Sequence, residues 1–124
     1  MKLFQIEEPD GAPLEAEGPG AAVGMHLAED AAVAVAVGGN AELLARLDLG
    51  DVRETLLALR GRAEKMLSRP VTHVVLAAEK PVDTEAAGLA LLRHVSVEEA
   101  ARLGGGVAAL GAAILAEDLA PPAA

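Results

Sequence analysis

The stretch that most constrains this chain runs from Ala21 to Val37, AAVGMHLAEDAAVAVAV. Val23, Met25 and Leu27 alternate with small or polar neighbours, and Val33, Val35 and Val37 repeat the alternation with alanines between them. A period of two marks a β-strand, because successive side chains leave opposite faces. Ala28-Glu29-Asp30 separates the two runs and supplies a tight acidic turn. Two such strands cannot bury their own apolar face, so the residues that follow have to cover it.

They divide readily into further elements. Gly38-Gly39-Asn40 is a hairpin turn, since Gly and Asn take positive φ at low cost, and it predicts Ala41 to Leu47 as a third antiparallel strand with Leu43 alternating with Glu42 and Leu44. Asp51, with Glu54 three residues on, is a capping box. Val52, Leu56, Leu59, Ala63 and Met66/Leu67 then form one apolar stripe at helical spacing. Gly61 falls off the stripe, and Arg53, Arg60, Arg62 and Lys65 form the solvated face. Pro70 stops the helix.

Thr72 to Ala78 is apolar on both faces, as an internal strand between helical layers would be. Asp83 or Thr84 caps a short helical turn, and Leu89 to Val95 reads as another strand. Ser96 with Glu99 is a second capping box, opening a helix through Leu103. Gly104-Gly105-Gly106 breaks it, Val107 to Leu119 is a last helix, and Pro121-Pro122 closes the chain. The expected architecture is α/β. An antiparallel meander followed by helix–strand–helix–strand–helix gives a five-stranded mixed sheet flanked by helices.

Composition sets the outer bounds. A chain of 124 residues makes one domain, and 52% hydrophobic residues is too many for a disordered protein. Phe4 is the only aromatic residue, so the core must be Ala, Val and Leu, with little volume per residue. Such a core predicts modest stability and dependence on a partner. A net charge of −9 opposes nucleic acid and anionic membrane surfaces, both of which select clustered Lys and Arg. Without cysteine there is no disulfide, thiolate metal site or cysteine nucleophile. The start MKLFQIEEPD turns acidic before any apolar core develops, unlike a signal peptide. The longest uncharged apolar run, Leu103 to Ala116, falls short of the about 20 residues of a bilayer span, so a soluble cytoplasmic protein is expected. Residues 1–20 carry five acidic residues, three prolines and three glycines and read as a solvated arm, with Leu3, Phe4 and Ile6 hinting at docking. Residues 21–119 form the body and 120–124 a tail.

Four segments, in order, resemble the nucleotide-binding domain of the seventy-kilodalton heat-shock chaperones, the DnaK type. AVGMHLAEDAAVAVAV lies where that family has its AVGIDLGTTNSLVAV phosphate hairpin. The helix ending at Ser68 and the RPVTHVVLAA after it look like the family's helix and EPVTEAVITVPA strand. GLALLRHVSVEEAARL is similar to GLEVLRIINEPTAAAL, with Leu89, Leu92, Arg93, Ala100, Ala101 and Leu103 in register, and VAALGAAILAEDL is similar to AVALGAAIQAEVL. The opening LFQIEEPDGAP also resembles the LLQIxEPGxSP start of the family's iron–sulfur-assembly branch. The resemblance implies one subdomain of the actin-like, ribonuclease-H-like architecture. Because the family is several times longer, the other lobe, its phosphate loop and the peptide-binding domain are not expected in these residues.

In that family the first hairpin holds ATP phosphates through backbone amides and Thr hydroxyls, and its Asp orders the metal-bound water. Gly24 is retained here, but His26 stands for the Asp and Ala28-Glu29-Asp30 for Gly-Thr-Thr. Ser96 and Val97 stand for the Asn and Glu of the motif that helps position the metal, and the segment of the catalytic lysine is missing. Carboxylates where phosphates would lie repel an anion. The expectation is a chain that neither binds ATP strongly nor hydrolyses it, uses no cofactor and is not an enzyme. Ser68 and Ser96, the only serines, both read as helix-end residues, and no Ser/His/Asp order or carboxylate pair stands out.

Other motifs have plain structural readings. His26, His73 and His94 form no ligand pair at metal-binding spacing, and no metal site is expected from them. Gly104 to Gly106 follows a helix and precedes no Lys, Ser or Thr, so it is a helix end and not a phosphate loop. Gly111 with Ala108, Ala112 and Ala116 makes a small-residue face, suited to tight packing on the sheet or to self-association. The function these readings favour is a non-catalytic remnant of a chaperone nucleotide-binding domain, kept as a protein-interaction or assembly module with a protein partner or a second copy. Two alternatives remain. One is a small-molecule or metal-binding protein using the former cleft around His26 and Glu29. The other, resting on the opening segment alone, is an accessory factor in iron–sulfur cluster assembly.

Overall fold

The computed structural model describes residues 20–121; residues 1–19, the bulk of the expected arm, and 122–124 of the expected tail lie outside the described residues. Three antiparallel strands come first: β1 (Ala21–Leu27), β2 (Asp30–Val37) and β3 (Asn40–Asp48). Helix α1 (Val52–Leu67) leads into β4 (Val71–Ala78), which pairs parallel with β1. A 3₁₀ turn (Glu85–Ala87) precedes β5 (Ala90–Val95), parallel with β4, and α2 (Val97–Leu103) and α3 (Ala108–Leu119) complete the chain. The strands form one mixed sheet in the order β3-β2-β1-β4-β5. The α/β class, the meander and the five-stranded sheet between helices follow the sequence reading. Among the described residues no single helix is long and apolar enough to cross a membrane.

β1 is the central strand, and its alternation assigns the two faces. Val23, Met25 and Leu27 pack with Val74 and Leu76 of β4 against Leu56, Leu59 and Ala63 of α1. The other face is nearly all alanine. Ala32, Ala34 and Ala36 of β2 meet Ala109 and Ala113 of α3, while Val75, Ala77 and Val95 meet Ala108, Ala112 and Ala116. Small side chains on both surfaces let the helix lie close to the sheet. At Gly24 the approach is complete: a Cβ there would overlap the Ala113 nitrogen and the carbonyl carbon of Ala112. The same device joins α2 to α3, where a Cβ on Gly111 would overlap the Ala100 carbonyl. Gly111, Ala108 and Ala112 are all buried inside this one chain. The small-residue face is therefore spent on the sheet and on α2, which removes these three residues as a surface for a second copy.

Both capping boxes form as expected on their N-cap side. The Glu54 N–H donates to Asp51 at 3.0 Å, and the Glu99 N–H donates to Ser96 Oγ at 3.0 Å. Helix α1 ends at Leu67, and its C-cap Ser68 takes φ 57° and returns its N–H to the Glu64 carbonyl. The short helical turn also forms as expected, as a three-residue 3₁₀ turn whose Glu85 and Ala86 N–H groups donate to Asp83 Oδ1. Three expectations need correcting. The turn between β1 and β2 is shorter than read, because Asp30 already belongs to β2. In β3 a bulge opposite Val33 and Ala34 inserts one residue, so Leu44 packs into the α1-side core while Leu43 is 38% exposed.

The last correction concerns the arginines of α1. Arg60 is half-buried and donates from Nη1 to the Ala87 carbonyl at 2.8 Å, while its Nε donates to Glu64 Oε2 at 3.3 Å. That same Glu64 oxygen accepts the Val71 N–H at 2.8 Å, and Arg53 donates to the Ala86 carbonyl at 3.3 Å. A polar clasp thus ties α1 to the 3₁₀ turn and to the start of β4. It satisfies amides and carbonyls that would otherwise be left without partners beside the core.

Two glycine substitutions should have opposite signs. Gly24→Ala is expected to lower stability by about 3 kcal/mol or more, since backbone atoms cannot yield as a flexible side chain can. Gly61→Ala, in mid-helix with nothing within 4 Å of its added methyl, should raise it by about 0.5–1 kcal/mol. Urea unfolding of the two variants beside the parent chain reads both.

Candidate functional site

Parallel strands present their carboxyl ends to one edge, and α/β folds place ligands there. In this chain that edge is made by the ends of β1, β4 and β5. His26, Ala77 and Val95 pair in one row across it, with Ala32 of β2 on the other side of His26. At strand spacings of about 4.8 Å, Val95 lies about 10 Å from His26, and Ser96 and Val97 follow it. The fold therefore brings the two sequence motifs, Gly24–Asp30 and Ser96–Val97, to the same edge.

What they do there is structural. Gly24 is covered by α3. The Ala28 N–H donates to the Asp30 carbonyl at 2.9 Å, closing the hairpin turn, so that amide is already occupied. Ser96 Oγ is held as the N-cap of α2, and Val97 packs, half-buried, on the α2–α3 side of the sheet. Glu29 is exposed at the turn, and Asp30 is half-buried, its carboxylate 3.3 Å from Arg46 Nη1 and 3.9 Å from His26 Nδ1.

His26 is the residue least explained by packing alone. It points to the α3 face of β1, two residues beyond Gly24 and so about 6.6 Å further along the strand. The start of β1 lies beside Glu117 and Ala120 at the end of α3, so the helix runs against β1 and His26 lies toward its first turn. The ring is largely buried, and its Nε2 has no hydrogen-bond partner. Burial lowers its pKa below the ordinary 6.5; Asp30 opposes this and Arg46 adds to it. The neutral imidazole is the form the fold accepts, and it leaves a buried nitrogen unpaired.

The other histidines do not join it. His73 pairs in register with Ala22 near the opposite end of the sheet, its Nδ1 2.7 Å from Thr72 Oγ1. His94 sits opposite Leu76 and contacts the Ala78 carbonyl through Nε2 at 2.9 Å. Among the described residues no three His, Cys, Asp or Glu side chains come together as a metal site. Gly104 to Gly106 form the link between α2 and α3: the Gly104 N–H returns to Ala100, and Gly105 and Gly106 take positive φ.

Beside this edge, on the α1 face, lies a cleft of about 390 Å³. Leu27, Leu49, Val52, Ala78 and Val82 make it apolar, with Glu79 and Lys80 at its rim. Sequence reading located the edge but not this cleft, because its walls come from loops on either side of α1 and β4. It also missed Arg46. Once the hairpin is drawn, a diagonal cross-strand pair with Asp30 is the signal that could have shown it.

Neither models of known protein families nor curated proteins return a match to this chain.

The sign of the pH effect at His26 is fixed by its lowered pKa. The unfolded chain takes up the proton near 6.5, whereas the folded chain does so only at lower pH. The contribution of neutral His26 is complete above pH 6.5 and declines as pH falls toward the folded-state value. His26→Leu removes both the proton and the unpaired nitrogen. It should flatten stability between about pH 7 and 5 and be neutral or stabilising by about 1 kcal/mol at pH 5. Urea midpoints measured across that range check both effects.

Proposed function

We propose that this chain is a non-catalytic derivative of a DnaK-type nucleotide-binding subdomain, with the actin-like fold, serving as a protein-interaction or assembly module. The observation that carries the loss of nucleotide chemistry is the strand edge itself. Its turn offers Glu29 and the Asp30 carboxylate, an Ala28 amide already bonded, and an imidazole that burial keeps neutral. An incoming triphosphate would meet the exposed Glu29 carboxylate, an Arg46 already paired with Asp30 and no free Ala28 N–H.

Support for interaction comes from α3. No charged or polar side chain occurs from Ala108 to Ala116, although only part of the helix surface rests on the sheet and α2. Leu110 and Ile114, four residues apart, are left half-exposed, and Leu103 at the end of α2 is 46% exposed. A helix apolar around its whole circumference fits cover on its outer side, by a protein partner or a second copy. A role in iron–sulfur assembly would be one case of such a module; its motivation is the opening LFQIEEP segment.

Calorimetric titration with magnesium and ATP should give no binding in the micromolar range. Micromolar, magnesium-dependent affinity would overturn the proposal. Light scattering over rising concentration should show association, reduced by Ile114→Asp. A strict monomer that also recovers no partner protein would count against the interaction role.

A second reading has its own observation, the 390 Å³ apolar cleft beside the carboxyl ends of β1 and β4. It would make the chain a small-molecule binder, and a metabolite that raises the melting midpoint in the parent but not in Val82→Asp would favour it.

A further inference from the structure

The residues before Gly20 include the only aromatic side chain, Phe4, between Leu3 and close to Ile6. They join the described structure at a second cleft, of about 240 Å³, in whose wall Gly20 itself takes part. This cleft lies at the end of the sheet away from His26, between the end of β2 and the end of α1. Val35, Val37 and Leu67 give it an apolar side, and Glu117 and Pro121 lie across from them. Val37 is 72% exposed, and Met66, next to Leu67 in the chain, is 62% exposed. These are the two most exposed large hydrophobic side chains among the described residues. Val37, in the wall of this cleft, is therefore an apolar surface left without cover.

Two constraints select the occupant. The first is size: an apolar cavity of about 150 Å³ accepts a benzene ring, so this one has room for the Phe4 ring and part of an aliphatic neighbour. The second is reach and local concentration. Residues 7–19 separate Ile6 from Gly20 and span up to about 45 Å when extended, more than enough to return to the cleft. A tether of that length holds its end at an effective concentration on the order of mM, so the chain's own segment outcompetes a second copy at micromolar protein.

We propose that Leu3–Ile6 dock within the same chain into the cleft at Gly20, the Phe4 ring against Val37 and Leu67. The segment then supplies the one large side chain that the small-residue core lacks, and it closes the apolar wall between β2 and α1.

A single phenylalanine makes the test direct. Incorporation of 4-fluorophenylalanine gives one fluorine resonance, which reports Phe4 alone. In the native protein it should stand away from its position in urea and stay there on dilution. Val37→Asp should return it to the urea position with an unchanged far-ultraviolet dichroism spectrum, since that side chain is largely exposed already. A native resonance at the urea position would overturn the proposal. So would a shift that fades on dilution, which would give the cleft to a second copy, or one that Val37→Asp leaves in place, which would put Phe4 elsewhere.

Discussion

Backbone contact between α3 and β1 at Gly24 sets the spacing of everything on that side of the sheet. With aromatics absent from the described residues, this chain cannot fill a wide gap between layers, and it removes the gap instead. Ala32, Ala34, Ala36 and Ala77 present methyl groups to the methyl groups of Ala109, Ala112, Ala113 and Ala116. Each pair contributes little, but many close contacts sum to a large dispersion term. The α2–α3 contact at Gly111 uses the same solution, so both helices on this face are held by absent side chains as much as by present ones.

The opposite face works differently. There, larger side chains such as Met25, Leu56, Leu59 and Leu76 fill the space between sheet and α1, and the Arg60–Glu64 clasp fixes the helix relative to its neighbours. At the far end, Glu117 of α3 accepts the Gly38 and Gly39 N–H groups, both glycines having positive φ, and locks the β2–β3 turn to the helix. These polar ties join elements distant in sequence. At the His26 edge the Ala28 N–H, the Ser96 Oγ and the Asp30 carboxylate all have partners within the chain.

Much of this was legible in the residues. Alternation in Ala21–Val37 gave the central hairpin, and Asp51 and Ser96 announced the starts of two helices, because a cap is a local interaction. Parity in β3 was not legible, since a bulge costs one residue of register and leaves no mark in the pattern of Leu43 and Leu44. Arg60 looked like any solvated arginine because its partner, the Ala87 carbonyl, is a backbone group 27 residues away. His26 could be singled out directly, but its burial and its unpaired Nε2 depend on where α3 lies. The role of Gly111 was left between packing and self-association until its neighbours on α2 were known.

Native-state hydrogen exchange tests the central dependence most directly, because it reports the opening free energy of each element separately. If close packing of α3 on β1 holds the fold together, the slowest amides of β1, β4 and α3 should share one opening free energy, equal to that of global unfolding. Exchange of α3 at a clearly lower free energy, while the sheet stays protected, would show that the helix detaches on its own and that the sheet does not depend on it.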